Sequence, residues 1–425
     1  MTIEELYQIY LTYPTIETDT RKIKKDNLFF ALKGLNFNGN NYAKEALNAG
    51  ASYCICDERT NMEDTRIIFV DDVLNTLQQL AKYHRMQFNI PFIAITGSNG
   101  KTTTKELVHE VLTSTYKCYT TKGNLNNHIG VPLTILSIKK DAEIAVIEMG
   151  ANHQQEIESY CVYTMPTHGL ITNCGKAHLE GFGGEEGIKK GKGELYNYIL
   201  HTNGTIFINN DYEYLHQMSV GIKNKISYGT ADATYVGEAK AGGHFLEVSI
   251  KKGADIENIK TQLAGNYNLP NVMSAVCIGK YFDVADDKIK KALESYTPTN
   301  SRSQLLQKDT NTILLDAYNA NPSSMKVAIE NFAEMEGENK VVILGGMMEL
   351  GEESLTEHAN LVELLAKYSW KQVVVAGKDF MNLPSSILHF DNALEIAAWF
   401  KGQRFTNTTI LIKGSRSMTM EKVLE

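Results

Sequence analysis

The chain has 425 residues, of which 43% are hydrophobic and 22% are charged, and its formal net charge at pH 7 is −8. This length is sufficient for about three domains. The negative charge argues against a sequence-independent nucleic-acid binder, which needs a basic face, and no apolar run approaches the roughly 18 residues of a membrane span. Residues 1–5 are acidic and lack the pattern of a signal peptide, and the six cysteines are scattered. Both features indicate a cytoplasmic protein with reduced thiols.

The N-terminal segment, residues 1–84, is predicted to be a small α/β domain. Strand-like runs at 27–32 and 52–56 alternate with helical patterns at 42–49 and 73–83. Such alternation is typical of a sheet covered by helices.

Two further α/β domains are predicted, at residues 85–300 and 301–425. A polar, β-rich insert occupies residues 205–263, and residues 297–301, Thr-Pro-Thr-Asn-Ser, are the predicted linker. Both domains alternate strands with helical patterns, which predicts parallel sheets and, in the last domain, a doubly wound one. The predicted strands of these two domains are 92–96, 143–148, 168–172, 312–316, 340–344, 372–376 and 409–413.

The most informative stretch is residues 93–104, Ile-Ala-Ile-Thr-Gly-Ser-Asn-Gly-Lys-Thr-Thr-Thr. An apolar strand leads into a glycine-rich turn, whose backbone N–H groups would face phosphates, and then into a helix predicted to begin at Thr103. Lys101 would neutralise the β- and γ-phosphates, and the Thr102 hydroxyl would bind Mg²⁺. Ile95 stands where the general P-loop motif has its first glycine, and an ordinary strand–helix turn is the alternative. The stretch predicts binding of ATP or GTP.

Three chemistry-bearing residues follow. Glu148 ends an apolar strand, where it would hold Mg²⁺ or merely end the strand. His178 lies in a polar turn after the next strand and would be a metal ligand, an acid–base group or a structural histidine. Lys192 belongs to a basic helical stretch whose alternative role is a solvated face.

Together these motifs resemble the Mur ligase family, the ATP-dependent amide-forming enzymes of peptidoglycan precursor synthesis. The family's loop reads T-G-[ST]-N-G-K-[ST], which accounts for Ile95. The resemblance implies carbamoylation of Lys192 by CO₂, which turns a cationic amine into an anionic metal ligand. It implies two magnesium ions with the ligands Thr102, Glu148, His178 and Lys192, and the catalytic residues Lys101, Glu148, His178 and Lys192.

The resemblance extends to the nucleotide site. Asn271 corresponds to the asparagine that reads the adenine, although Tyr267 stands where the family has histidine. Arg302 corresponds to an arginine that reaches across to the nucleotide, and Asp316 would bind near the ribose. The implied ATP-binding residues are Thr96, Gly97, Ser98, Asn99, Gly100, Lys101, Thr102, Thr103, Asn271, Arg302 and Asp316.

Residues 316–322, Asp-Ala-Tyr-Asn-Ala-Asn-Pro, resemble the signature of the branch that adds D-alanyl-D-alanine to UDP-N-acetylmuramoyl-tripeptide. Gly346 replaces an aspartate of the family pattern, so the role of that carboxylate is lost or is supplied by Glu349 or another group. Arg416 and nearby backbone N–H groups would bind the dipeptide carboxylate. The implied substrate-binding residues are Thr20, Arg21, Asn124, Asn126, Asn127, Asn319, Lys413, Ser415 and Arg416.

The fold implied by the resemblance has a small α/β N-terminal domain (1–84) for the UDP-muramoyl substrate, a central P-loop parallel-sheet ATPase domain (85–300) and a Rossmann-like α/β C-terminal domain (301–425). The last domain would bind the dipeptide and close over ATP. The implied reaction proceeds through an acyl phosphate and gives the pentapeptide precursor, ADP and phosphate. We expect a cytoplasmic monomer that acts on small molecules, without nucleic acid or membrane insertion. The alternatives are the ligase that adds the third amino acid, a folate polyglutamate ligase, and a catalytically silent nucleotide-binding module.

Overall fold

The computed structural model describes residues 1–59, 64–240, 243–299, 301–337 and 339–425, so Asn300 of the predicted linker lies outside the described residues. The chain forms two compact units. Unit 1 comprises Met1–Ala94, Tyr116–Gly150 and Glu156–His168, and unit 2 comprises Ile95–Thr115, Ala151–Gln155 and Gly169–Glu425. Within the described residues, every helix is too short or too polar to cross a membrane.

The N-terminal part of unit 1 is built around a small parallel sheet. Its elements are α1 (Ile3–Thr12), β1 (Ile16–Glu17), β2 (Leu28–Phe30), β3 (Lys33–Gly34), β4 (Phe37–Asn38), α2 (Ala43–Asn48), β5 (Tyr53–Cys56), β6 (Ile67–Phe69) and α3 (Val73–Arg85). The sheet has the strand order β1-β2-β5-β6, and all its pairs are parallel. Every residue of β2 is buried, as expected for an apolar run in a parallel sheet. The Asp72 carboxylate starts α3 by accepting from the Asn75 N at 2.6 Å.

The remainder of unit 1 carries a second group of strands. The elements that follow α3 in the chain are β7 (Phe92–Thr96), α4 (Lys101–Thr113), β8 (Cys118–Thr120), α5 (Gly130–Leu136), β9 (Ile144–Glu148), α6 (Glu156–Thr164) and β10 (His168–Ile171). Within unit 1, the first residues of β7 lie beside β9, which pairs in parallel with β8. Helix α3 packs on α5 and α6, and the Arg85 Nε donates to the Thr164 O at 2.9 Å. The carboxyl end of β9 therefore places Glu148 at the edge of this sheet.

The central part of unit 2 is a mixed sheet. Its further elements are α7 (Leu179–Phe182), α8 (Glu185–Thr202), β11 (Thr205–Asn209), α9 (Glu213–Met218), β12 (Asn224–Gly229), β13 (Tyr235–Ala239), β14 (Phe245–Lys252), β15 (Asn258–Ala264), α10 (Leu269–Tyr281) and α11 (Asp286–Ser295). Within unit 2, the strand order is β15-β14-β13-β12-β11-β10, with the end of β7 beside β10. The pairs β13–β14 and β14–β15 are antiparallel. The predicted parallel sheet is thus extended by an antiparallel edge, because the connections there are too short for crossover helices.

The C-terminal part of unit 2 is a Rossmann-like sheet, as predicted. Its elements are β16 (Gln304–Lys308), β17 (Asn311–Asp316), α12 (Pro322–Glu334), β18 (Lys340–Gly345), α13 (Ser354–Leu365), β19 (Gln372–Ala376), β20 (Ile387–Phe390), α14 (Ala393–Gln403) and β21 (Thr409–Lys413). The strand order is β16-β17-β21-β18-β19-β20, parallel except for the β16–β17 hairpin. Because β17, β21 and β18 are neighbours, Asp316, Lys413 and Gly345 end at one edge, where ligands of such folds bind.

Candidate active site

The phosphate loop, residues 97–100, joins β7 to α4. Gly97 (φ 139°) and Gly100 (φ 80°) adopt backbone conformations that other residues rarely adopt. Helix α4 begins at Lys101, two residues before the predicted start at Thr103, and its N-terminus offers anions a favourable site. The Lys101 Nζ donates to the Gly97 O at 2.8 Å, which holds the ammonium group over the loop.

Three predicted ATP-binding threonines flank the phosphate loop. Thr96 ends β7 and is fully buried, and its carbonyl oxygen accepts from the Thr172 N at 2.9 Å. Thr102 and Thr103 lie in the first turn of α4 and are also buried. The fold therefore fixes the side chains on both sides of the loop.

The segment after β10 holds the phosphate loop in place. The Thr172 Oγ1 donates to the Asn99 O at 2.6 Å, and the Asn173 amide both donates to that oxygen and accepts from the Asn99 N. The Ser98 N donates to the Asn173 O at 2.8 Å. The sequence motifs did not predict a role for Thr172 or Asn173, although a polar turn directly after an apolar strand is typical of a functional site.

Asn271 lies against the start of α4. A Cβ atom built on Gly100 would lie 2.5 Å from the Asn271 Oδ1, so only glycine fits there. The same Oδ1 accepts from the Thr104 Oγ1 at 3.1 Å, and the Asn271 Nδ2 donates to the Asn268 Oδ1 at 2.9 Å. The structure thus brings the predicted adenine-binding residue beside the phosphate loop.

Residues of the C-terminal part also reach the phosphate loop. The Asn321 Nδ2 donates to the Asn99 Oδ1 at 2.7 Å, and the Ser323 Oγ accepts from the Lys176 N at 2.8 Å. The Lys176 Nζ donates to the Glu357 Oε1 at 2.9 Å. These contacts place the start of α12, and with it the signature at 316–322, against the nucleotide-binding elements.

Asp316 was predicted to bind ATP and Lys413 to bind the substrate, and the two side chains form an ion pair. The Lys413 Nζ lies 2.5 Å from the Asp316 Oδ2 and 3.3 Å from the Asn319 O. The other Asp316 oxygen accepts from the Ser303 N at 3.1 Å, and the Ser303 Oγ is 2.8 Å from the Tyr267 hydroxyl oxygen. Burial, followed by the charge of Asp316, raises the pKa of Tyr267. Tyr267 is therefore a neutral hydrogen-bonding group.

The ring of Tyr318 lies near two of the predicted site arginines, Arg302 and Arg416. The Arg302 guanidinium lies 3.5 Å from its centroid and the Arg416 guanidinium 5.8 Å from it, within the range of cation–π attraction. Arg416 also pairs with Glu421 at 3.0 Å, and its side chain is mostly exposed. Asn319 beside this ring is exposed as well.

His178 contacts an acidic residue of the C-terminal part. Its Nδ1 lies 2.5 Å from the Glu349 Oε2, and the Glu180 N donates to the Glu349 O at 3.3 Å. Both His178 (φ 55°) and Glu349 (φ 62°) have left-handed backbones. This close contact with His178 lowers the pKa of the Glu349 carboxyl group.

Gly346 faces a different imidazole. A Cβ atom at this position would lie 3.5 Å from the His358 Nε2 and 3.6 Å from the Ala376 O, both ordinary van der Waals contacts. The loop beyond it is anchored, because the Met348 N donates to the Ser415 Oγ at 3.0 Å. Glu349 contacts His178, whereas Gly346 lies beside His358.

Lys192 lies on α8 and is almost completely buried. Its Nζ donates to the Ala151 O at 2.9 Å and lies 4.6 Å from the centroid of the Phe182 ring. Within the described residues, His, Cys, Asp and Glu side chains form no group of three or more suited to a metal ion.

In unit 1, the buried Glu148 pairs with the half-buried Asn126. The Asn126 Nδ2 donates to the Glu148 Oε1 at 2.6 Å, and the Gly150 N donates to the Asn126 O at 2.7 Å. The Glu148 N donates to the Thr121 Oγ1 at 3.0 Å. The structure thus orients the predicted metal ligand with one of the predicted substrate-binding residues.

The other predicted residues of the same loop are more exposed. Asn124 and Asn127 lie at the surface of unit 1. The Asn127 Oδ1 accepts from the Gly130 N at 2.8 Å and from the Ile129 N at 3.2 Å. Asn127 therefore stabilises the start of α5 as well as standing at the predicted site.

Thr20 and Arg21 lie on a short turn of unit 1, away from its core. The Arg21 Nε and Nη2 donate to the two carboxylate oxygens of Asp19, each at 2.8 Å, and the Arg21 side chain is 85% exposed. The hydrogen bond from Arg21 lowers the pKa of Asp19 to about 2.

Three family models match the chain: Mur ligase family, catalytic domain at residues 12–88, Mur ligase middle domain at 95–279, and Mur ligase, glutamate ligase domain at 301–416. UDP-N-acetylmuramoyl-tripeptide–D-alanyl-D-alanine ligase from Bacillus subtilis (strain 168) is 33% identical, with 96% of this chain and 92% of that protein covered. The crystal structure of MurF from Acinetobacter baumannii superposes with a TM-score of 0.88 at 30% identity, covering 96% of this chain and 92% of that one. The crystal structure of the MurF ligase from Thermotoga maritima in complex with ADP also superposes with a TM-score of 0.88, at 27% identity and with 97% of each chain covered. The family expected from the sequence is confirmed, and this chain belongs to the Mur ligase family.

Proposed function

We propose that this protein is an ATP-dependent ligase that joins D-alanyl-D-alanine to UDP-N-acetylmuramoyl-tripeptide. The observation that carries the proposal is the Asn99–Asn321 hydrogen bond, which joins the phosphate loop to the signature at residues 316–322. The relatives with this activity in their names align with nearly the whole chain, which supports the choice of substrate.

The carboxylate and the amine do not condense unaided in water, so ATP activates the acid. A carboxylate oxygen of the tripeptide attacks the γ-phosphorus of ATP, and the bond between that phosphorus and the oxygen that bridges it to the β-phosphate breaks. ADP departs, and the tripeptide carboxylate has become an acyl phosphate. Lys101 and the N–H groups of the phosphate loop stabilise the charge that develops on the phosphates. The neutral amine of the dipeptide then attacks the acyl carbon, loses a proton and expels phosphate, which gives the pentapeptide.

Mg²⁺, when bound, neutralises phosphate charge and orients the oxygens. We propose the Thr102 hydroxyl, the Glu148 carboxylate, the His178 imidazole and a carbamate on Lys192 as its ligands, for two ions. The burial of Glu148 and Lys192 supports these roles, because a fixed ligand loses little entropy when it binds.

We propose that each of the three predicted domains binds a different ligand. Residues 1–84 bind the UDP end, residues 85–300 bind ATP, and residues 301–425 bind the dipeptide and close over ATP. Asn271 reads the adenine, Asp316 lies near the ribose, and Arg416 binds the dipeptide carboxylate. The protein acts as a cytoplasmic monomer on small molecules. The remaining substrate contacts are assigned to Thr20, Arg21, Asn124, Asn126, Asn127, Asn319, Lys413 and Ser415.

The test is phosphate release from ATP and Mg²⁺ with UDP-N-acetylmuramoyl-tripeptide, with and without D-alanyl-D-alanine. We expect release that requires the dipeptide, together with a product heavier by that unit. L-alanyl-L-alanine serves as the matched control. Release with a single amino acid on the shorter precursor would reassign the chain to the ligase that adds the third residue, and no release with any amine would indicate a nucleotide-binding module.

A further inference from the structure

Ser303 lies just after the predicted linker at 297–301 and is held at three of its atoms. Its carbonyl oxygen accepts from the Ala264 N at 3.4 Å, and its Oγ lies 2.8 Å from the Tyr267 hydroxyl oxygen. Its N donates to the Asp316 Oδ1 at 3.1 Å. Ser303 is almost completely buried and has a left-handed backbone (φ 48°), which is uncommon for residues other than glycine. These contacts therefore hold an unfavourable backbone conformation in place.

Tyr267, which stands where the family has histidine, supplies the hydroxyl group at Ser303. Its ring packs against the backbone of Gly265, because a Cβ atom built there would lie 2.3 Å from the Tyr267 Cε1. Burial raises the pKa of the phenol, so the hydroxyl group keeps its proton and remains a hydrogen-bonding partner of the serine. The ring is thus fixed, and its hydroxyl group is aimed at the Ser303 side chain.

The carboxylate of Asp316 is held from both of its oxygens. The Oδ1 accepts from the Ser303 N, and the Oδ2 lies 2.5 Å from the Nζ of Lys413, whose side chain is almost completely buried. A carboxylate can accept about four hydrogen bonds, so these two contacts leave capacity for the two hydroxyl groups of a ribose. The Ser303 N and the Lys413 Nζ together therefore determine the direction in which Asp316 presents its remaining acceptor positions.

We propose that Tyr267 is a positioning residue for the ribose site. Its hydroxyl group holds Ser303 in the conformation whose N–H fixes the Asp316 carboxylate toward the ribose hydroxyl groups of the nucleotide. Tyr267 acts through Ser303 and does not itself contact the nucleotide. The inference rests on the proposed function, which assigns Asp316 to the ribose, and it gives a role to the tyrosine that replaces the family's histidine.

The test compares the binding of ADP and of 2′,3′-dideoxy-ADP, which lacks both ribose hydroxyl groups, by calorimetric titration. Tyr267→Phe removes only the hydroxyl group and should weaken ADP binding about 3- to 10-fold, the usual effect of one lost hydrogen bond, without changing the affinity for the dideoxy analogue. Ser303→Ala should behave in the same way, and the double variant should bind ADP no more weakly than either single variant. Tyr368→Phe, at an exposed tyrosine of the C-terminal part, is the control and should bind both nucleotides like the unmodified protein.

A Tyr267→Phe variant that binds both nucleotides equally less tightly, or binds ADP as before, would overturn the proposal, because a merely structural tyrosine does not discriminate between the two. Additive losses in the double variant would show that Tyr267 and Ser303 do not act together. If the unmodified protein binds ADP and the dideoxy analogue equally, Asp316 does not hold the ribose and the positioning role also fails. Dipeptide-dependent phosphate release tests the proposed function separately, so a chain without ligase activity can still show the ribose effect, and the two failures are distinguishable.

Discussion

The phosphate loop and the turn at residues 19–22 hold their polar groups in opposite ways. In the loop, Asn99 is bound by residues distant in the sequence, including Thr172 and Asn321. In the turn, Arg21 bonds to its neighbour Asp19 and its side chain is 85% exposed. The first site is therefore preorganised by tertiary structure, and the second is a local pair.

This difference determines what substitutions should cost. A preorganised group needs no rearrangement when charge develops, so its removal should cost much of the rate. An exposed local pair is screened by water, and its disruption should cost little. The same contrast between buried, fixed groups and exposed, local ones should order the substitutions that follow, from the largest effect to the smallest.

Lys101→Ala should lower kcat/KM for the ligase reaction about 1000-fold, because its ammonium group over the loop is removed. Steady-state phosphate release measures the effect. Lys140→Ala, at an exposed position in unit 1, is the control and should leave the rate unchanged. Comparable losses of kcat/KM in both variants would show that the lysine of the phosphate loop contributes no more to catalysis than an exposed surface lysine.

Lys192→Ala should lower the rate about 100-fold or more, because the buried amine that would carry the carbamate is lost. Short carboxylic acids should restore part of the activity, and removal of CO₂ should slow the unmodified protein. Lys190→Ala, exposed on the same helix, should behave like the unmodified protein. Full activity of Lys192→Ala without bicarbonate or added acids would rule out the carbamate.

Gly97→Ala should weaken ADP binding about tenfold, through a strain of roughly 1–2 kcal/mol. Its Cβ atom would lie 2.0 Å from the Thr172 Oγ1, in addition to the unfavourable φ of 139°. Gly123→Ala is the matched control, since its φ is also positive but nothing lies within 4 Å of a Cβ there. Calorimetric titration with ADP should separate the two, and equal affinities would contradict the packing argument.

The sequence predicted the elements around the phosphate loop because their signals are local. The predicted strand at 92–96, which leads into the loop, coincides with β7, and the predicted C-terminal strands at 372–376 and 409–413 coincide with β19 and β21. Strand β20 was missed, since its residues are only partly buried and lack an apolar run. The pairing of Asn99 with Asn321 spans 222 residues, and motif residue types do not encode such contacts. For the same reason the Glu349–His178 contact was not foreseen, although both residues were named.

Asn127→Ala should reduce the free energy of unfolding by about 1 kcal/mol, because two backbone N–H groups at the start of α5 lose their acceptor. Asn127→Asp retains a carboxylate oxygen in that place and should lose much less. Urea denaturation, monitored by fluorescence, measures the free energy of unfolding of both variants and of the unmodified protein. An equal loss in both variants would show that the hydrogen bonds do not stabilise this helix.

Arg21→Ala should have the smallest effect on folding, and it tests the local pair directly. The pKa of Asp19 should rise from about 2 toward its ordinary value of 3.8, as measured by carboxyl ¹³C NMR. Because the pKa of Asp19 is lower in the folded protein, its ionised carboxylate stabilises the fold at pH values above the ordinary pKa of 3.8. This contribution is lost as the pH falls through about 2. At neutral pH the exposed pair should therefore add little to stability.

The same unit offers a matched pair for the functional part of this prediction. Arg66 donates to Asp64 with the same two-bond geometry, and the pKa of Asp64 is likewise lowered to about 2. Arg66→Ala should therefore reproduce the NMR shift at its own aspartate. Only Arg21→Ala should raise the KM for UDP-N-acetylmuramoyl-tripeptide, by about fivefold. If both variants raise it equally, or neither does, Arg21 is a structural residue like Arg66, and the UDP end of the substrate binds elsewhere in the chain.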